Sequence, residues 1–276
     1  MIPQRNISRL ANRLARNGGQ RIPETVLERD YCLAWFLVGL SGSTLKPILA
    51  FKGGTALKRC YFEDYRFSED LDFTLLRPTP IEEILERLDA IFAVVRDASG
   101  IEFRFEQMDR HGHQNAHTFY LEYRGPLPAP NTAKVDITIR EAIAYPIVQR
   151  PVLRSYPEFE DVPEGGEIAV YSLDEIAAEK TIALADAART EPRDLYDLWY
   201  LTAEVGVELR NLHDGIREKL AFRDKPFTGI QASVAAKENR LRALWQTRLG
   251  EQMAQLPEFD EVFRSVRRTL RQAALP

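Results

Sequence analysis

The sequence predicts an α+β fold, a mixed sheet flanked by helices and followed by a helical region, and three observations predict it. Apolar residues alternate with polar ones in Asp70–Leu75, Ile101–Phe105 and Lys134–Ile139, the side-chain period of a half-buried strand. Periods of three and four, as in Ile81, Ile84, Leu85, Leu88, Ile91 and Phe92, place helices before and between these strands. Beyond residue 168 only the helical period remains. The expected division is a domain over 1–168, N-terminal helices included, and a helical domain over 169–276.

Taken in order, Ile2 to Arg16 carries Ile7, Leu10 and Leu14 on one stripe and reads as an amphipathic helix ended by Asn17-Gly18-Gly19, its arginines forming the wet face. Pro23 starts a longer, more buried helix that runs to Gly39 or Gly42 and covers one side of the sheet. A short apolar run, Ile48 to Phe51, leads into Gly53-Gly54-Thr55, a tight turn opening a helix from Thr55 to about Tyr61. In the strand that follows, Leu71, Phe73 and Leu75 point one way and Asp70, Asp72 and Thr74 the other.

Pro80 begins a helix closed near Gly100, and Ile101 to Phe105 and His117 to Arg124 pair as strands before the break at Pro126, Pro128 and Pro130. His111-Gly112-His113, with His117 beyond, has a spacing that suits zinc, but no cysteine is near and a solvated hairpin loop is the default. Lys134 to Ile139 places Val135, Ile137 and Ile139 on the core face and Asp136 opposite. The proline-rich stretch from Tyr145 to Val170 reads as an irregular connector with room for short strands. Ser172-Leu173-Asp174-Glu175 is a capping box, each side chain able to satisfy the other's backbone donor. Pro192 opens a further helix to Leu201, and Leu209–Leu220, Ser233–Leu249 and Pro257–Ala274 are helical by pattern.

The chemistry is carried by the acids. Two carboxylates ~5 Å apart at an effective dielectric of ~20 repel by roughly 3 kcal/mol, so Asp70 and Asp72 share a proton or hold a cation. Mg²⁺ is held by one or two carboxylates together with substrate phosphates, and the glycine turn at a helix start offers N–H groups and a dipole for those phosphates. If the Lys134–Ile139 strand lies beside the Asp70 strand, Asp136 joins the pair, and three acids around two ions suit phosphoryl or nucleotidyl transfer. Each piece alone is a common surface feature; order and spacing give the joint reading its force. Lys180 falls on the apolar stripe with Ile176 and Leu184 and so calls for an anion, either a carboxylate of the chain or, the preferred reading, the phosphates of a nucleotide. Asp197 could orient Lys180 or a substrate hydroxyl, or serve as a structural partner. Tyr196 and Tyr200 have a base-stacking alternative to a packing role, and Arg264, Arg267, Arg268 and Arg271 form a basic helix face that could meet a phosphate backbone.

Composition sets the bounds. In 276 residues, 45% hydrophobic and 28% charged residues are ordinary for a globular protein, and a formal net charge of −4 argues against broad nonspecific binding to nucleic acid. Cys32 and Cys60 offer no disulfide framework and read as packing residues. The longest apolar run, Tyr31 to Leu40, is half of the ~20 residues a membrane span needs, and the first residues lack the apolar core of a signal peptide. The expectation is a cytoplasmic protein with no membrane partner.

Taken together, FKGGTALKRCYF, RFSEDLDF, KVDITI, SLDEIAAEK and RDLYDLWYL resemble the AbiEii family of nucleotidyltransferase toxins from abortive-infection toxin–antitoxin systems, over roughly residues 30 to 205. The resemblance implies a polymerase-β-like nucleotidyltransferase domain followed by a helical domain, an NTP donor, two Mg²⁺ ions with Mn²⁺ as a substitute, for some members a tRNA 3′ end as acceptor, and a cognate antitoxin. By position it assigns Gly53, Gly54 and Thr55 to the phosphate-holding turn, and Ser68 with Asp70 and Asp72 to the first metal motif. Asp136 takes the next acidic motif, Lys180 the triphosphate, and Asp194 and Asp197 the final acidic motif. The segment from Thr55 to Asp70 is longer than in the generic signature, with residues 62–66 as an extra loop. Other acceptors, a protein or a small molecule, fit the same fold, and so does a noncatalytic nucleotide or RNA binder. A sugar-nucleotide transferase fits the glycine turn and Asp136 less well.

Overall fold

The computed structural model describes residues 1–16, 19–110 and 114–276. The helix end at Asn17-Gly18 and the His111-Gly112-His113 loop lie outside them. The chain forms two compact units, one of Met1–Arg140, Ile147–Val170 and Gln252–Ala254, the other of Glu141–Pro146, Tyr171–Glu251 and Gln255–Pro276.

The first unit is built on a sheet of seven strands in the order β3-β4-β5-β2-β1-β7-β6. In sequence these are β1 (Leu49–Lys52), β2 (Leu71–Leu75), β3 (Glu102–Met108), β4 (Ala116–Arg124), β5 (Asn131–Thr138), β6 (Ile147–Pro151) and β7 (Glu167–Tyr171). β2 runs antiparallel to β1 and parallel to β5, and β7 runs parallel to β1, so the sheet is mixed as expected. Alternation fixes the register: Phe51, Phe73, Val135, Ile137, Phe119 and Leu121 all lie in one apolar core, with the Phe51 and Phe73 rings 5.0 Å apart. Removing a phenyl ring from such a core costs about 3–5 kcal/mol. α1 (Gln4–Arg16), α2 (Glu24–Ser41) and α4 (Ile81–Ser99) contribute to that core. α2 approaches α4 closely at Gly39, where a Cβ would stand 2.7 Å from Val95 Cγ2.

The stretch expected to be a connector supplies two strands, β6 and β7, at the far edge of the sheet. Pro146 and Pro151 bracket β6 and mask its pattern, yet prolines at the ends of an edge strand cost no ladder bond. β7 straddles position 168, and its pairing through Val170 with Phe51 keeps it on the sheet. The helix after the glycine turn starts at Gly53, before the expected Thr55, as α3 (Gly53–Ala56), and widens into a π turn over Leu57–Tyr61. That turn buries two basic side chains: Arg59 Nε donates to Asp30 Oδ1 at 2.9 Å, and Lys58 Nζ donates to the Tyr156 hydroxyl at 2.8 Å and to the Glu63 carbonyl.

The second unit is helical: α5 (Leu173–Ala185), α6 (Pro192–Trp199), α7 (His213–Phe222), α8 (Ile230–Ala236), α9 (Glu238–Leu249) and α10 (Phe259–Gln272). Two expectations are corrected. Ser172 Oγ accepts from Glu175 N at 3.3 Å, but the return half of the capping box is replaced, because the Glu175 carboxylate accepts from Ala144 N and Tyr145 N and pairs with the fully buried Lys219. An ammonium without water outcompetes a backbone donor for that carboxylate. The single helix expected over Ser233–Leu249 is two, parted at Lys237, whose Nζ turns inward to the Leu184 carbonyl.

Candidate active site

Strand register sets the site. Asp72 on β2 is the Cα partner of Asp136 on β5, so the two carboxylates occupy one face of neighbouring strands, which lie about 4.8 Å apart in a sheet. The same row continues to Lys52 on β1, opposite Asp72, and to Thr118 on β4, opposite Asp136. Thr118 Oγ1 donates to Asp136 Oδ1 at 3.4 Å, Lys134 Nζ lies 3.4 Å from Asp136 Oδ2, and Lys52 Nζ donates to Thr138 Oγ1 at 2.9 Å. Asp70 immediately precedes β2. Burial works against the Lys134 ammonium, but Asp136, with Asp70 and Asp72 beyond it, outweighs burial and raises the lysine above its ordinary pKa.

The glycine turn abuts this row. Gly53 has φ of 77°, and a Cβ there would stand 2.5 Å from Asp72 Oδ2, so only glycine fits both the backbone and the space. A Cβ on Gly54 would collide with the Arg66 guanidinium and stand 3.2 Å from Ser68 Oγ. Thr55 Oγ1 donates to the Asp70 carbonyl at 2.5 Å, tying the turn to the start of β2. Arg66 is buried, its Nη1 donating to the Phe67 carbonyl at 3.2 Å and to Gln252 Oε1 at 3.1 Å. A guanidinium and a hydroxyl over a glycine at a helix start form a site that favours phosphate.

Lys180, Asp194 and Asp197 form a separate cluster in the helical unit. Lys180 Nζ lies 2.8 Å from Asp194 Oδ1 and 2.7 Å from Asp197 Oδ2, and Arg189 Nε reaches Asp194 Oδ2 at 2.5 Å. Burial raises the Asp194 carboxyl, but Lys180 and Arg189 outweigh it and hold its pKa below the ordinary value. The inward-pointing lysine thus has carboxylate partners in its own unit.

The structure therefore brings Gly53, Gly54, Thr55, Ser68, Asp70, Asp72 and Asp136 together in one unit and Lys180, Asp194 and Asp197 in the other. Sequence reasoning passed over Lys52, Lys134 and Arg66. The lysines carried a signal, since they share the polar-face alternation of the acids; Arg66 depends on Gln252, far along the chain, and carried none.

Among the described residues, no group of three His, Cys, Asp or Glu side chains is gathered into a ready-made metal cage. The facing pair Asp72 and Asp136 instead suits Mg²⁺ or Mn²⁺, which takes one or two carboxylates and completes its shell with phosphate and water. Cys32 and Cys60 are buried free thiols; burial raises both, Cys60 to about 12.

A mixed seven-stranded sheet flanked by helices is also the fold of a nucleotidyltransferase toxin of known structure. It matches MenT4, a nucleotidyltransferase toxin from Mycobacterium tuberculosis H37Rv, with a TM-score of 0.66 at 19% identity, covering 99% of this chain and 90% of that one. A protein of H. pylori assigned as a nucleotidyltransferase matches with a TM-score of 0.58 at 17% identity, over 91% of this chain and 96% of its own. Residues 35–265 match the nucleotidyl transferase AbiEii toxins of type IV toxin–antitoxin systems, and the chain belongs to that family. No curated protein matches the sequence. The family implies an antitoxin partner. Among the described residues no helix is long and apolar enough to cross a membrane.

Proposed function

We propose that the chain transfers a nucleotide from an NTP to an RNA acceptor such as the 3′ end of tRNA, with Mg²⁺ as its metal, in the cytoplasm. The observation that supports this most is Asp72 facing Asp136 beside the Gly53 turn. Bound there, a divalent ion supplies charge neutralisation at the transferred phosphate and lowers the pKa of an attacking hydroxyl. Asp72 and Asp136 would hold it, with Asp70 as the third acid, and Asp136 is the candidate base for the acceptor's proton. The backbone N–H groups of Gly53, Gly54 and Thr55, with Ser68 and Arg66, would receive the triphosphate. The resemblance assigns Lys180 to the triphosphate and Asp194 and Asp197 to the final acidic motif; their mutual ion pairs make that a separate test. The four exposed arginines of α10 are the proposed track for the RNA backbone in a chain whose net charge is −4.

Incubating the protein with each labelled NTP, Mg²⁺ and total RNA tests the proposal. Labelled RNA is expected with at least one nucleotide, and Asp72→Asn is expected to lower the rate at least about 10²-fold while leaving the fold intact. No labelled RNA with any nucleotide would remove the RNA acceptor; labelled protein from the same lysate would move the acceptor to protein.

A further inference from the structure

The acid face poses an electrostatic problem in the metal-free protein. Asp72 and Asp136 face one another on neighbouring strands, with Asp70 within electrostatic reach of the same lysine, and like charges on facing strands destabilise the fold unless something opposes them. Two ammonium groups do so. Lys52, opposite Asp72, is engaged with the Thr138 hydroxyl at 2.9 Å. Lys134 stands two residues before Asp136 on the same strand face, at 3.4 Å from Asp136 Oδ2.

The Lys134 contact differs from the chain's committed ion pairs. Lys180 lies within 2.8 Å of each of two buried carboxylates, with its side chain 13% exposed. Lys134 keeps a longer contact to a partly exposed carboxylate, and its own side chain is 37% exposed. A long, unbranched, half-solvated side chain can swing away from its partner at little cost. Its ammonium also stands where an ion held by Asp136 would have to sit close by, and a monovalent and a divalent cation repel strongly at that range.

We infer that Lys134 is a resident counter-cation of the acid face, neutralising Asp136 in the metal-free protein and yielding that carboxylate when a divalent ion binds. This rests on Asp72 and Asp136 forming the metal-holding site. Lys134 is thus a positioning residue: it keeps the acid row folded and sets how tightly metal binds before nucleotide arrives.

The test is Mn²⁺ binding by the nucleotide-free full chain, read from the electron paramagnetic resonance signal of free Mn²⁺, with melting temperatures in EDTA and in Mn²⁺. Lys134→Met, which keeps length and removes charge, is expected to bind Mn²⁺ at least five-fold tighter than wild type. It is also expected to melt lower in EDTA and to regain most of the difference in Mn²⁺. Lys134→Arg is expected to behave as wild type in both. In an Asp136→Asn background Lys134→Met should no longer tighten binding. Unchanged or weaker Mn²⁺ binding by Lys134→Met would overturn the inference. If wild type and variant both fail to take up Mn²⁺, with nucleotide as without, the metal site itself is wrong and the inference falls with it.

Discussion

At Gly53 a single methyl group meets two obstacles at once. The residue sits at φ of 77°, and the methyl carbon would lie 2.5 Å from the Asp72 carboxylate. Gly53→Ala is therefore expected to lose about 1–2 kcal/mol of stability and to abolish transfer by turning Asp72 out of line with Asp136. Urea melts and the labelled-NTP assay read the two effects separately. At Gly54 the obstacle is the buried Arg66 guanidinium, itself held by the Phe67 carbonyl and Gln252. Lys58 offers a pH signature at the same scale. Burial lowers it from 10.5 to about 7, so between those values the unfolded chain holds a proton that the folded one has released. Its contribution to stability is least favourable below pH 7 and improves as pH rises toward 10. The stability of wild type relative to Lys58→Met should shift in favour of wild type between pH 7 and pH 9.5 in urea melts. A pH-independent difference would mean that Lys58 stays charged inside the fold.

Elements were legible where one period ruled them. β2 and β5 alternate strictly, and the same alternation that buried Phe73 and Ile137 put Asp72 and Asp136 on the other face. β6 was hidden because its flanking prolines resemble loop punctuation, and the α8–α9 break because Lys237 turns the chain through a buried contact that no periodicity reports. The half-made cap at Ser172 has a similar origin: the claim of Lys219 on Glu175 comes from 44 residues away. The pairing of α5 with α6 through Lys180 carries its own expectation. Lys180→Met leaves Asp197 buried without its ammonium, while Arg189 still serves Asp194, so the variant should lose about 3 kcal/mol in urea unfolding. Adding Asp197→Asn should restore part of it. Loss of activity in Lys180→Met speaks to phosphate contact only after that stability loss has been measured.

For the whole molecule, charge is distributed unevenly. Arg264, Arg267, Arg268 and Arg271 recur at the spacing of one helical stripe, all exposed; Arg264 adds to the field on Asp260, the carboxylate that Arg242 on α9 pairs with alongside Glu238. Like charges at these spacings weaken a helix slightly, a cost that an RNA backbone would offset. Replacing the four with glutamine is expected to weaken RNA binding and to flatten its dependence on log salt by about 0.7 for each lost contact with a single strand. Mn²⁺–nucleotide binding should be unchanged. Fluorescence anisotropy at several salt concentrations reads the slope. The acids of the site were visible in sequence because each lies on a patterned strand. Arg66 was not, because Gln252 holds it: Gln252 Oε1 accepts from Arg66, its carbonyl accepts from Phe67 N at 2.7 Å, and the Ala254 carbonyl accepts from Gln20 N at 2.8 Å.

That late segment, Gln252 to Ala254, belongs to the unit begun at Met1. During synthesis the strands bearing the aspartates leave the ribosome and can pair while residue 252 has yet to be added. The guanidinium above Gly54 gains its Gln252 acceptor only when translation is nearly finished, so a chain released prematurely before Gln252 would carry its acids in register and lack that bond.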